Sequence, residues 1–255
     1  MITDQQLVIN NLEEKLKVFT NAVSGELTNE EDFILANTEV PTDTFNILVS
    51  KYPEIKNVFK VRQGLDYFYK KEYPFSVWMD DRHISDNWTS LIHAYGLKET
   101  ERNAMMKLDN TLYVGQSVSH QLTITQVKNK RELSKYIEVF ISLFEGTPEQ
   151  FALEDYFNKF SQTKLGLDTQ MFIGCIGKVA VTTGLLIKSE DSYGIYDVMT
   201  KENFRGKGLG SEMFQFLLNQ TKDKEKPVVL QASDDGKNIY KRFGFIDVGE
   251  MVVFE

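Results

Sequence analysis

The sequence predicts an α/β fold, and three stretches of the chain support this prediction. An apolar run at 194–200 is followed by a glycine-rich turn at 205–210 and by a helical pattern at 211–222. Residues 228–254 then show the order strand, helix, Gly-Phe, strand, and residues 75–108 show strand, helix, Gly-Leu, strand. Strands that alternate with helices are typical of a sheet covered by helices. We therefore expect such a layered domain.

In the first part of the chain, helical and extended patterns follow one another. Helices are expected where apolar residues recur at helical spacing, and strands where short apolar runs stand between polar residues. Asp4 is a candidate N-cap of the first helix, Gly64 interrupts the second, and Gly96 follows the third, as is common after a helix C-terminus. The patterns predict helices at 4–23, 55–72 and 86–95, and strands at 33–35, 45–49, 75–79 and 99–108.

A polar, turn-rich stretch at 109–118 is predicted to be a linker. Beyond it, residues 120–127 alternate with the period of a strand. Asn129 and Glu132 form a capping-box pattern that opens a helix, and Pro148 is suited to the start of the next helix. Two strands are expected at 170–176 and 179–188.

The run Arg205-Gly206-Lys207-Gly208-Leu209-Gly210 predicts an anion site. A glycine-rich turn between a strand and a helix directs main-chain N–H groups and the positive end of the helix dipole at one small volume. Its spacing differs from that of the P-loop, because Lys207 is followed by Gly208 and not by Ser or Thr. It also differs from the dinucleotide fingerprint, since no acidic residue in a βαβ unit follows at the required distance.

The form Arg-x-x-Gly-x-Gly after a strand resembles the acyl-CoA pyrophosphate loop of the GNAT superfamily of N-acetyltransferases. A second segment, from Ala232 to Phe245, is similar to a second GNAT signature of the form A-S-x-x-G-x-x-x-Y-x-x-x-G-F. The resemblance covers about residues 119–255 and is strongest over 194–245. It implies a mixed, mostly antiparallel sheet with the element order β-α-α-β-β-β-α-β-α-β, and acetyl-CoA as the acyl donor.

The resemblance also implies a set of site residues. Acetyl-CoA is expected along the strand that ends at Thr200, with its pyrophosphate on the 205–210 turn and its thioester near the amides of Val198 or Met199. Gly236 stands where many members carry an Asn that contacts the cofactor. Asn238 is a candidate to make that contact in its place. The expected cofactor-binding residues are Val198, Met199, Thr200, Arg205, Gly206, Lys207, Gly208, Leu209, Gly210, Ser211 and Asn238.

Tyr240 is the expected catalytic residue. In the family, a Tyr four residues before Gly-Phe lies near the sulfur of the coenzyme, and a phenol with a pKa near 10 can protonate a departing thiolate. The general base is left open between His83, His93, Asp197 and a chain of water molecules. Cys175 has no activating histidine nearby in sequence, so direct transfer is favoured over an acyl-enzyme route.

The two-part organisation predicts residues 1–117 as an α/β domain and residues 118–255 as the GNAT domain. Because the order of elements at 75–108 repeats that at 228–254, the first domain is expected to be a copy of the GNAT fold, and it is expected to be degenerate because it has no glycine-rich loop. The alternative is an unrelated α+β extension. The short segment 74–78 also resembles one found in two-part GNAT proteins. We expect this domain to shape or cover the acceptor site.

Composition narrows the function classes. A net charge of −8 argues against general nucleic-acid binding, and no apolar run is long enough for a membrane span. The single cysteine and the absence of a signal-peptide pattern at the N-terminus predict a cytoplasmic protein. We expect a monomer or homodimer that binds acetyl-CoA and an amine acceptor, with no metal. The alternatives are a non-catalytic acyl-CoA-binding regulatory module and a structural protein with a decayed site.

Overall fold

The computed structural model describes residues 2–113, 120–160, 165–221 and 225–255. Its helices are α1 (Asp4–Ala22), α2 (Val58–Lys71), α3 (Asp86–Ala94), α4 (Lys130–Ile141), α5 (Glu149–Lys159), α6 (Leu209–Thr221) and α7 (Asp234–Arg242). Its strands are β1 (Glu26–Asn29), β2 (Phe33–Asn37), β3 (Ile47–Ser50), β4 (Ser76–Asp80), β5 (Glu99–Leu108), β6 (Thr123–Gln126), β7 (Thr169–Ile176), β8 (Val179–Lys188), β9 (Tyr193–Tyr196), β10 (Val228–Ala232) and β11 (Ile246–Phe254).

Within the described residues, the strands form one eleven-stranded sheet in the order β1-β2-β3-β4-β11-β5-β10-β9-β8-β7-β6. Most neighbours are antiparallel, and the parallel pairs are β3 with β4 and β9 with β10. The predicted mixed, mostly antiparallel sheet flanked by helices is confirmed. The second half follows the predicted order, with β6, α4, α5, β7, β8, β9, α6, β10, α7 and β11 in succession.

Helices cover both faces of the sheet. Met105 and Met251 point to the face on which α1, α4 and α5 pack. Ala104, on the opposite face, packs with α6 and α7, and Val252 on that face packs with α2 and α3. Because successive side chains of a strand alternate between faces, each strand contributes side chains to the helix layer on either side of the sheet. No helix in the described part of the chain has the combination of length and apolar character that spanning a membrane requires.

The two halves share the same local architecture. Each has two parallel strands joined by a helix, followed by a second helix and a long antiparallel strand. The turn after α3 and the turn after α7 have matching hydrogen bonds: the N–H of Leu97 donates to the C=O of Ile92 (3.2 Å), and the N–H of Phe245 donates to the C=O of Tyr240 (3.3 Å). Gly96 and Gly244 both have positive φ, at 73° and 94°. The first half is therefore built on the same plan.

The halves also exchange their last strands. β5, from the first half, pairs with β10, and β11, from the second half, lies between β4 and β5. The sheet is consequently continuous across the predicted division. The predicted boundary at 117/118 lies within residues 114–119, outside the described residues, so the division at that point stays a prediction.

Several local expectations need correction. The first helix is capped by Thr3, whose hydroxyl accepts from the N–H of Gln6 (3.2 Å), and Asp4 is its first residue. β1 was not predicted, because its residues, Glu26–Asn29, lack an apolar run. Gly64 does not break α2; the δ1 carbon of Leu35 fills the space that a Cβ at this position needs (2.6 Å).

Candidate functional site

β9 is shorter than its apolar run suggests, because the chain kinks at Asp197. This residue has a φ of 50°, in the left-handed region that residues with side chains rarely adopt. Its C=O accepts from the N–H of Met199 (2.9 Å) and from the hydroxyl of Thr183 (2.7 Å). The strand then resumes beside β8 with a bridge between Thr182 and Thr200. The expected continuous strand over 194–200 is thus divided in two.

The kink lies three residues beyond the last pairing of β9 with β10. Their parallel pairing covers Tyr193 with Val228 and Gly194 with Val229. Beyond it, Met199 accepts from the N–H of Thr183 (3.0 Å) on the β8 side. Since main-chain groups of a strand alternate in direction, those of Val198 and Thr200 face the opposite edge, toward the gap. This edge is suited to pairing with an extended ligand.

The glycine-rich turn follows a short 3₁₀ turn at Glu202–Phe204 and leads into α6. Gly206 and Gly208 both lie at positive φ, 75° and 80°, which explains the choice of glycine at these two positions. The helix begins at Leu209, so the amides at its N-terminus have no partner within the helix. The Arg205 side chain donates from Nε to the C=O of Thr200 (3.1 Å) and joins the turn to the strand end.

A buried carboxylate fixes the start of α6. Glu212, in its first turn, is almost fully buried. It accepts from the main-chain N–H groups of Gln121 and Leu122, each at 2.9 Å. A carboxylate that accepts two amide hydrogen bonds near a helix N-terminus is stabilised by both interactions. The chain preceding β6 is in this way tied to the helix that carries the glycine-rich turn.

These elements enclose a cavity of about 720 Å³, a size typical of sites for small ligands. All but two of the predicted site residues line it, namely Val198, Met199, Thr200, Arg205, Gly206, Gly208, Leu209, Gly210, Ser211 and Tyr240. The exceptions are Lys207 and Asn238. The Lys207 ammonium donates to the C=O of Asn203 (3.0 Å), and Asn238 is exposed on α7.

Tyr240 lies at the inner wall of this cavity. Its ring packs against Phe214 of α6, with 4.7 Å between the centroids. Burial raises the pKa of the Tyr240 hydroxyl above its usual value near 10. The hydroxyl is therefore protonated at neutral pH, as a proton donor must be.

Other residues line the cavity that were not among the predicted site residues. Phe214 occupies an apolar position of α6 and has no signal that distinguishes it from a core residue. Leu143 comes from the segment between α4 and α5 and reaches the cavity only through the tertiary fold. Gly236 and Ser233 lie in the second signature, and the structure places both beside Tyr240: an added Cβ at Gly236 would lie 3.1 Å from the ring and 3.6 Å from the Ser233 hydroxyl.

The candidate bases lie in different places. None of the three histidines lines the described cavity. His83 is buried in the first half, with Nδ1 3.2 Å from the Ser50 hydroxyl. The Asp197 carboxylate is 2.9 Å from the Lys15 ammonium and accepts from the Tyr136 hydroxyl at 3.1 Å. Both carboxylate oxygens of Asp197 are thus engaged by protein groups.

In the first half, the corresponding positions are filled. Trp88 is the third residue of α3, as Gly236 is the third of α7, and Ile92 corresponds in the same way to Tyr240. The Trp88 side chain is completely buried, and its indole N–H donates to the C=O of Tyr52 (3.3 Å). The corresponding helix positions of the first half thus carry buried apolar side chains in place of Gly236 and Tyr240.

Comparison with known families matches residues 151–255 to the acetyltransferase (GNAT) domain model. This part of the chain is a GNAT domain. The match contains β7 to β11 and every predicted site residue, so the resemblance inferred from the two signatures is confirmed. In the described residues, no group of three or more His, Cys, Asp or Glu side chains is placed to hold a metal ion.

Solved structures share the fold of the GNAT domain and of the chain as a whole. A conserved protein of unknown function from Staphylococcus epidermidis is 15% identical, with a TM-score of 0.65 and coverage of 91% of this chain and 94% of its own. A GCN5-related N-acetyltransferase from Kribbella flavida is 12% identical, with a TM-score of 0.63 and coverage of 94% and 93%.

A tandem GNAT protein from the clavulanic acid biosynthesis pathway is 11% identical, with a TM-score of 0.55 and coverage of 87% of this chain and 77% of its own. At these identities, the similarities show a common fold. A curated relative, the portal protein of Helicobacter pylori bacteriophage KHP30, is 29% identical over 166 residues, which are 60% of this chain and 26% of that protein. The match thus spans about a quarter of the portal protein.

Proposed function

We propose that the chain is an N-acetyltransferase that transfers the acetyl group of acetyl-CoA directly to a primary amine. One observation carries this proposal: a single cavity is lined by the glycine-rich turn, the strand end at Val198 to Thr200, and Tyr240. These provide an anion-binding turn, an edge for an extended ligand and a proton donor. The acyl-transfer reaction needs each of them.

In this proposal, the turn binds the pyrophosphate of the donor. Main-chain N–H groups from Gly206 to Ser211 and the N-terminal end of the α6 dipole supply the attraction for the negative charge. Arg205 is at the rim and adds a positive charge. Lys207 and Asn238 stay in the proposal as secondary contacts, because neither lines the cavity.

The main chain after the kink holds the thioester. The main chain of Val198 and the N–H of Thr200 face the extended arm of the donor, since the Thr200 C=O already accepts from Arg205. Of the two amides expected near the thioester, that of Met199 donates to the C=O of Asp197 (2.9 Å), so the amide of Val198 stabilises the negative charge that develops on the carbonyl oxygen. Tyr240 then donates its proton to the departing sulfur, and the raised pKa of the phenol keeps that proton available across neutral pH. Water serves as the proton acceptor for the amine, since Asp197 is engaged by Lys15.

The two-part division also belongs to this proposal, with residues 1–117 shaping the acceptor side and residues 118–255 carrying the donor site. A cytoplasmic location belongs to it as well, because the one cysteine, Cys175, is buried and unpaired.

Calorimetry with acetyl-CoA, followed by an assay of free CoA thiol across a panel of amines, tests the proposal. We expect one acetyl-CoA per chain and amine-dependent thiol release. Tight binding without release for any amine would support the regulatory module. Absence of binding would contradict both the enzyme and the regulatory module.

A Tyr240→Phe variant tests the proton donor in the same assay. Tyr69→Phe is its matched control, because Tyr69 is exposed on α2.

A further inference from the structure

Helix α1, from the first half, lies against β9 of the GNAT domain. Asn11 and Lys15 are one helical turn apart and so share a face of α1. Lys15 reaches Asp197, with 2.9 Å from Nζ to Oδ1, at the kink that follows β9. The Asp197 side chain is 7% exposed and that of Lys15 is 21% exposed. This ion pair between the halves is largely shielded from water, which strengthens it relative to a surface pair.

Asn11 fixes the position of α1 along the strand. Its side-chain N–H donates to the Ser192 hydroxyl (3.0 Å), and its side-chain oxygen accepts from the Tyr196 hydroxyl (3.0 Å). A Cβ at Gly194 would lie 1.9 Å from this oxygen, so the helix approaches the strand as closely as glycine permits. These contacts fix the position of α1 on β9 and so place Lys15 at the kink.

The Lys15 ammonium also lies over the ring of Tyr196, 4.8 Å from its centroid, in a cation–π contact. On the other side of Asp197, the Tyr136 hydroxyl of α4 donates to Oδ2. Burial raises the pKa of Tyr136 well above its usual value, so this hydroxyl stays a donor. The carboxylate is held from two directions.

The contacts of Asp197 matter because of its backbone conformation. A left-handed conformation is unfavourable for a residue with a side chain, so it persists only where several surrounding contacts hold it. Here the carboxylate is held by Lys15 and Tyr136, and the carbonyl by Met199 and Thr183. The next residue is Val198, the first residue after the kink to line the cavity.

We propose that Lys15 is a positioning residue of the acyl-transfer site: through its ion pair with Asp197, helix α1 holds the kink that directs the main-chain N–H of Val198 at the thioester. This inference rests on the proposed function. It assigns the first half a definite part in the chemistry. The residue acts through Asp197 and makes no contact with the donor.

The test uses the full chain, with acetyl-CoA and CoA as probes. Lys15→Met retains most of the side-chain stem and removes the charge. We expect it to bind CoA as the wild type does, because the glycine-rich turn is intact, and to lose roughly fivefold in affinity for acetyl-CoA, which corresponds to one hydrogen bond to the carbonyl. With a ¹³C-labelled carbonyl, the lowering of its stretching frequency on binding is expected to be smaller than in the wild type.

Two further variants separate positioning from folding. Asp197→Asn accepts the left-handed conformation and retains a side-chain oxygen for Tyr136, but loses the ion pair. It is expected to behave as Lys15→Met does, and it takes over the test if Lys15→Met fails to fold. Lys15→Arg keeps the positive charge, so its affinity for acetyl-CoA relative to CoA is expected to equal that of the wild type. Lys188→Met is the control, because its 3.4 Å pair with Asp168 is exposed and lies at the far end of β8.

The outcomes are distinct. An unchanged acetyl-CoA preference and carbonyl frequency in both Lys15→Met and Asp197→Asn overturns the inference and leaves the proposed function standing. An equal loss of affinity for CoA and acetyl-CoA also overturns it, since that indicates a general structural role. A wild-type chain that binds neither probe overturns the proposed function together with this inference.

Discussion

Gly236 and Tyr240 lie one turn apart on α7, so close that a Cβ added at Gly236 would lie 3.1 Å from the Tyr240 ring. Most real Cβ contacts are longer, so a side chain at 236 displaces the ring. The sequence shows Gly236 as a departure from the Asn common in the family. The structure gives this departure a physical reason, because glycine leaves room for the phenol in the cavity wall.

Gly236→Ala is expected to raise helix stability and lower turnover. Alanine is favoured over glycine in a helix by about 1 kcal/mol, and a small shift of the proton donor costs about tenfold in rate. Thermal unfolding and thiol release with a reactive amine measure the two effects. Unchanged turnover in a folded variant would show that the close contact does not position the hydroxyl.

Tyr240→Phe is expected to reduce the turnover number by about 100-fold or more, because it removes the proton for the leaving thiolate. The affinity for acetyl-CoA is expected to change little, since the ring still packs on Phe214. Steady-state kinetics and calorimetry give the two quantities separately. Tyr69→Phe provides the baseline for an exposed tyrosine, and equal turnover in the two variants would remove Tyr240 from the mechanism.

Gly206→Ala is expected to weaken acetyl-CoA binding. Gly206 has a φ of 75° and open space where a Cβ would stand, so the substitution strains the backbone without a clash. Gly177→Ala is the matched control: Gly177 has a φ of 59°, equally open surroundings, and a place in the turn between β7 and β8. Both variants should lose about 1 kcal/mol of stability, measured by denaturant unfolding, and only Gly206→Ala should lose affinity in calorimetry.

Asp43 predicts a pH dependence of stability. Burial, followed by the nearby carboxylates of Glu149 and Glu255, raises the pKa of Asp43 to about 6. The folded state therefore binds this proton more tightly than the unfolded state, where the pKa is near 3.9. Ionisation of Asp43 therefore lowers the free energy of unfolding. This destabilisation is absent below the unfolded pKa, grows as pH rises between the unfolded and the folded pKa, and is complete above about pH 6.

Asp43→Asn removes that destabilisation. The variant is expected to melt at a higher temperature than the wild type above pH 6 and at a similar temperature near pH 4. Melting temperatures of both proteins across this range are the measurement. A difference that is the same at every pH would mean that the effect comes from packing and not from the ionisation of Asp43.

The strand exchange predicts that residues 118–255 do not fold alone as they do in the chain. Without β5, strand β10 loses its neighbour on one edge and β11 loses both of its partners. We expect no cooperative unfolding transition for this fragment in calorimetry, and its recovery on mixing with residues 1–117. A fragment that unfolds cooperatively by itself would show that β11 can pair directly with β10.

Much of the fold was predictable from local patterns. The helices of the second half, the two signatures and the alternation around the glycine-rich turn are all short-range features, and short-range features are encoded by neighbouring residues. The kink at Asp197 was not predictable, because an apolar run read as a strand has no local signal for a left-handed residue. The N-cap of α1 was predicted one residue too late, at Asp4 and not at Thr3, because either side chain can cap a helix.

By itself, the sequence predicted the GNAT resemblance that the match of residues 151–255 confirms, the glycine-rich turn at the start of a helix and Tyr240 as the candidate proton donor, since these depend on residue types at fixed spacing within continuous segments. The tertiary structure alone decided that β5 enters the second half, that Leu143 lines the cavity, and that Lys15 meets Asp197 across 182 positions. Contacts between distant segments arise from packing of whole elements, and no local periodicity specifies which elements will meet.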